Sequence, residues 1–203
     1  MPYAVLRLYN ESGPLVGAIR EARDEVEAIM RAIPGFVRYG IIDTGGGAIS
    51  MTVCDDKAGT DASIKAAADW IKSNLPDAKI ASPRVLEGEV IHDLSHKRGE
   101  PGPHAVLRIF DAPPPDGIDQ HHDAIREVMT GTSGFRAYTV VGARPGGVSL
   151  IVCDDKAGTD KAAEGMRALV RSKYPDFPPR NPEVIEGTGV FRFEAAEVPA
   201  ATA

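Results

Sequence analysis

At 203 residues, 43% of them apolar and 26% charged, the chain can fold as one large domain or two small ones with a real core. A net charge of −6, with acids and bases interleaved, excludes the basic stripe of a nucleic-acid binder, and no apolar run approaches the roughly 20 residues of a membrane span. MPYAVLRLYN has neither the basic start nor the apolar core of a secretory signal, and two cysteines, Cys54 and Cys153, argue for buried, reduced thiols in a cytoplasmic protein.

YAVLRLY (3–9) alternates and is rich in β-formers, which predicts a strand with Ala4, Leu6 and Leu8 on one face and Tyr3, Val5, Arg7 and Tyr9 on the other. Leu15, Ile19, Ala22, Val26, Ile29 and Ile33 recur at steps of three and four. They predict one helix face that opens near Ser12 and Pro14 and stops before Pro34-Gly35. GFVRYGIID and AISMTVC predict two strands joined by a hairpin at TGGG. That loop lacks the Lys-Ser/Thr and the following helix of a phosphate-binding loop. A second helix is expected from near Thr60 to SNLPD, and RVLEGEVI predicts the last strand.

The same order is then written again. VCDDKAGTD occurs at 53–61 and at 152–160, and at this offset of 99 residues 21 of the 57 positions from Gly35 to Ile91 match their counterparts. Upstream, YAVLRLYN lies over HAVLRIFD, two residues out of step. The chain therefore reads as a tandem duplication: repeats at 1–94 and 103–195, a Gly/Pro-rich linker at 95–102 and a flexible tail at 196–203. The class is α+β, each repeat a ferredoxin-like βαββαβ unit. One such sheet leaves a face bare. Two packed together cover both faces and close an eight-stranded barrel without edges, an internal pseudo-dimer. The stripe bearing Arg7 is taken to face the barrel, where Arg7 and Arg108 need a carboxylate (Glu87 and Glu186), a carbonyl or a bound anion.

This layout, with IPGF after the first helix, resembles the dimeric α/β-barrel superfamily, in particular antibiotic-biosynthesis-monooxygenase-like domains. The resemblance implies a small organic ligand held between sheet and helices, with a cofactor-independent monooxygenase-like or isomerase-like activity. The alternative is a non-catalytic interaction protein with a side-chain-filled barrel. Haem-degrading relatives use an asparagine, a tryptophan and a histidine. Asn10 and Trp70 fit the first two, no histidine lies between Trp70 and Ile91, and the second copy has Asp111 and Leu169.

The nonapeptide reads as architecture: Cys54 ends a strand, Gly59 frees a turn, Thr60 caps a helix, Asp61 sits in its first turn, and Asp56 with Lys57 ties the loop. Positions at which the copies differ are better candidates for chemistry. His121, in place of Ala22 on the helix face, is the proposed proton carrier. Trp70, Tyr39, Tyr138, Arg7 and Arg108 are the proposed ligand-lining residues, Arg38 is assigned to a surface pair, and His122 to the solvent edge. No cofactor and no metal is expected, and the partners are a small molecule and, at most, a second copy of the chain.

Overall fold

The structure is a computed structural model that describes residues 1–95, 104–144 and 146–195. β1 (Tyr3–Tyr9) leads into α1 (Leu15–Glu21) and α2 (Arg23–Arg31), then β2 (Phe36–Asp43), β3 (Ala48–Cys54), α3 (Lys57–Asn74) and β4 (Arg84–Ser95). The second copy gives β5 (His104–Phe110), a 3₁₀ turn (Ile118–His121), α4 (His122–Thr130), β6 (Phe135–Ala143), β7 (Gly147–Cys153), α5 (Lys156–Lys173) and β8 (Glu183–Glu194). The helix expected after the first strand is broken in both copies, at Ala22 (φ −94°, ψ 25°) and at His121 (φ −98°, ψ 27°). Apart from Ser95, which ends β4, the expected linker falls outside the described residues, as does the tail.

All neighbouring strands are antiparallel, and they close a barrel in the order β1-β3-β2-β8-β5-β7-β6-β4. Each copy contributes four strands. The last strand of each crosses to the other copy, β4 onto β6 and β8 onto β2. This explains why β4 runs to Ser95, beyond the segment RVLEGEVI that predicted it.

The barrel interior is filled by Ala4, Leu6 and Leu8 of β1, Ala105, Leu107 and Ile109 of β5, and apolar partners from the other strands. The expected facing of β1 is thus reversed. The purely aliphatic stripe lines the barrel, where nothing polar needs a partner, and the stripe with Arg7 lies beneath the helices. Two further layers cover the outside, one around Leu15, Met30, Tyr39 and Trp70 and the other around Ile125, Met129, Tyr138 and Ala162.

The repeated nonapeptide builds the strand-to-helix corner twice. Helix α3 begins three residues before Thr60, because the Asp56 carboxylate caps it by accepting from Gly59 N at 2.9 Å; Asp155 does the same for Gly158 N at 2.8 Å. Gly59 serves by close approach, since a Cβ there would lie 2.7 Å from Cys54 Cβ and 2.8 Å from the Pro34 carbonyl. The left-handed residue of the corner is Gly35 (φ 69°), whose carbonyl accepts from Asp55 N at 2.8 Å. Lys57 bonds Asp61 one turn along the helix at 2.6 Å and reaches Glu87 at 3.3 Å, which takes Glu87 away from Arg7.

Candidate functional site

In the first copy, polar groups gather between sheet and helices. Arg7 is only 1% exposed, so its guanidinium depends on protein acceptors. Nη2 donates to Ser63 Oγ on α3 at 2.5 Å, and Nη1 to Thr52 Oγ1 at 3.1 Å and Ser50 Oγ at 3.4 Å, both on β3. Nε has no hydrogen-bond partner among the described residues. Three neutral hydroxyls leave the cation uncompensated, and burial presses its pKa below the ordinary arginine value.

The charge is felt by two tyrosines. Burial pushes the Tyr39 pKa up to about 12, opposed by Arg7 and by a hydrogen bond with Ser50; burial raises that of Tyr9, again opposed by Arg7. Both rings, with Ser50 and Trp70, border a cavity of about 20 Å³ whose other walls include Ile19, Val26, Met30 and Ala67. Trp70 Nε1 is buried and has no acceptor among the described residues. Of the expected ligand-lining residues, Tyr39 and Trp70 share this cavity wall and Arg7 lies behind Ser50. Tyr9, Ser50, Thr52 and Ser63 were not singled out from the sequence, although their counterparts Phe110, Ser149, Ile151 and Ala162 differ at three of the four positions.

No family model and no curated protein matches the chain. Solved structures match over nearly its whole length. An anthrone oxidase-like protein is 19% identical with a TM-score of 0.57, covering 100% of this chain and 97% of that one. A candidate monooxygenase from Fusobacterium nucleatum is 12% identical with a TM-score of 0.62, covering 95% and 94%. A chlorite dismutase variant from Candidatus Nitrospira defluvii, solved with cyanide, is 9% identical with a TM-score of 0.55, covering 93% and 90%. The chain has the fold of these structures, an eight-stranded α/β-barrel. At such identities the likeness establishes the fold and leaves the chemistry to the residues.

In this barrel, Tyr138 and Arg108 come together beneath the helices of the second copy, each acting electrostatically on the other. His121 ends the 3₁₀ turn, partly exposed, with its ring edge-on to Tyr174 at 5.6 Å, and borders neither this cavity nor the one at the barrel mouth. Cys54 and Cys153 are buried thiols, and burial raises each pKa to about 11, which keeps them protonated. Among the described residues no helix is long and apolar enough to cross a membrane, and no cluster of three or more His, Cys, Asp or Glu is placed to hold a metal ion.

Two polar clusters at the seams escaped the sequence, for one reason. Bulges between Phe36 and Arg38, between Val90 and His92, and between Ile41 and Ile42 opposite β8 break the two-residue alternation. Arg38 is consequently no surface residue: 3% exposed, it reaches Asp93 on β4 at 2.5 Å and Thr139 on β6 at 3.1 Å. It borders a cavity of about 60 Å³ at the mouth of the barrel, together with Arg136, Thr139 and Arg192. His92 is turned under the helices of the second copy, where the half-buried His122 meets it from the solvent edge. Arg126 has only protons to give, so His122 Nε2 accepts from it at 2.9 Å. With Nε2 accepting, the His122 proton lies on Nδ1 and is donated to His92 Nδ1 at 3.3 Å, and His92 Nε2–H donates to the Ile118 carbonyl at 3.3 Å.

Proposed function

We propose that the first copy binds a small planar organic molecule with an acidic hydroxyl or an enolisable carbonyl, between the sheet and α1–α3. The observation that carries this reading is the buried indole N–H of Trp70, without an acceptor on the wall of an apolar cavity, next to two tyrosines and a serine. Buried donors are nearly always satisfied, and a ligand oxygen supplies the missing acceptor. Behind Ser50 the uncompensated charge of Arg7 favours an anion over its neutral parent, because a fixed charge acts strongly where water is excluded. Forming a substrate anion, its proton passing to solvent because the cavity wall carries no base, is the first step both of cofactor-independent oxygenation and of a proton-transfer isomerisation, the two activities we assign to this cleft. The likeness to an anthrone oxidase-like protein supports the choice of an enolisable polycyclic ketone as the first compound to try. In the second copy His121 is the proposed proton carrier.

A cavity of about 20 Å³ has room for about one water, so a ligand enters only when α1 and α2 lift from the sheet. That small volume favours the second reading, a non-catalytic protein with its layers filled by side chains. Trp70 is the only tryptophan, and its emission therefore reports on this cleft alone. Titration with anthrone, followed by tryptophan emission and by an oxygen electrode, separates the readings. Saturable quenching with oxygen uptake supports oxygenation, and quenching without uptake supports binding or isomerisation. Constant emission across a panel of planar phenols and ketones supports the second reading.

A further inference from the structure

Arg108 holds in the second copy the place that Arg7 holds in the first. Each sits on the first strand of its copy, opposite a serine of the third, Ser50 for Arg7 and Ser149 for Arg108. Their surroundings have diverged. The hydroxyls of Thr52 and Ser63 that accept from Arg7 are replaced by Ile151 and Ala162, both buried. Arg108 Nη1 is left buried with no hydrogen-bond partner among the described residues. Helix α5 adds a second cation, Arg167, where α3 has Ala68. Burial lowers the Arg108 pKa, and Arg167 lowers it further.

Nearby carboxylates do not resolve this. Asp160 and Glu186 favour the charged Arg108, but Lys156 engages both, at 3.5 and 2.6 Å, and His104 also reaches Glu186, at 3.5 Å. The Tyr138 hydroxyl, its pKa pushed far up by burial, stays a neutral donor and offers no charge. On β8 the register partner of Arg108 is Val184, one of the few large apolar side chains left in the open, at 49% exposure.

A buried guanidinium nitrogen without an acceptor among the described residues is held at a cost that an anion removes. We propose that the second copy binds an organic carboxylate, whose oxygens accept from Arg108 Nη1 and from Arg167 while its apolar part lies on Val184. A guanidinium suits the planar, two-oxygen geometry of a carboxylate, Arg167 adds a second positive charge from the exposed side of α5, and the bare valine selects an organic acid over an inorganic ion. The site is separate from the cleft at Trp70 and does not depend on it.

The test is thermal unfolding of the full chain against benzoate, with ionic strength held by chloride and inorganic phosphate run in parallel. Benzoate raises the unfolding temperature saturably, and phosphate does not. Arg167→Ala, an exposed position, shifts half-saturation upward by about tenfold. Ile151→Thr with Ala162→Ser gives Arg108 the hydroxyls that Arg7 has, so it weakens the benzoate response while raising the unfolding temperature in its absence. No saturable response to benzoate, an equal response to phosphate, or a response unchanged in both variants overturns the proposal.

Discussion

Ser63→Ala removes the shortest of the three hydrogen bonds that hold Arg7, 2.5 Å from Nη2. With the guanidinium 1% exposed, water does not replace the lost acceptor. A hydrogen bond to a charged group contributes about 1.5–3 kcal/mol, and stranding its buried donor is the same loss seen from the other side, so the two are not added. The serine hydroxyl also donates to the Thr60 carbonyl at 2.7 Å, a bond within the helix whose removal costs little. Alanine returns about 0.5 kcal/mol of helix propensity. The net is a loss of about 2 kcal/mol, which in a chain of this size lowers the unfolding temperature by about 4–8 °C. Urea unfolding followed by circular dichroism, with an unchanged m-value, reads it directly. A loss below about 0.5 kcal/mol would mean that Arg7 is satisfied by something other than these hydroxyls, and the contrast drawn with Arg108 would fall with it.

The His92 chain makes one seam sensitive to acid. Burial holds the His92 pKa below its ordinary value of 6.5, His122 adds to the depression, and the Ile118 carbonyl and Asp119 oppose it. The unfolded chain therefore takes up the proton first. The stability is whole above about pH 6.5 and falls as pH drops toward the folded value, by no more than about 1.4 kcal/mol per pH unit. His92→Phe, which copies its counterpart Phe191, should flatten that slope between pH 5 and 7, and equal slopes in urea-midpoint profiles would contradict the chain of donors. Gly59→Ala should cost about 2 kcal/mol, because Pro34 and the end of β3 leave no room and α3 must shift. Gly17→Ala in α1 meets nothing within 4 Å and should gain about 0.5–1 kcal/mol, so similar denaturation midpoints for the two would refute the close-approach role.

The repeat, the order of elements and the corner at VCDDKAGTD were legible because they rest on local rules: alternation, helical spacing and caps. The facing of β1 was judged from the hydrophobicity of its stripes, and the stripe with Arg7 was sent to the barrel. Both stripes are in fact largely buried, and the hydroxyls that accept from the arginine lie on β3 and α3. Arg38 and His92 were misread or missed because one extra residue upstream of each inverts the face of everything after it, and reading either strand as regular assigns the wrong face. The polar shell of Arg7 did leave a mark, in the unlike pairs Thr52/Ile151, Ser63/Ala162 and Tyr9/Phe110, which gain meaning once Arg7 and Arg108 are known to lie beneath helices.

The most direct test of the Trp70 cleft uses the lone indole N–H of the chain. In a ¹⁵N-labelled sample it gives one side-chain resonance, which slow solvent exchange should mark as buried and an upfield proton shift as unbonded. Adding 1-naphthol should move that resonance saturably downfield as the ligand oxygen accepts from Nε1. A stationary indole resonance, while other signals show that naphthol has bound, would contradict the account.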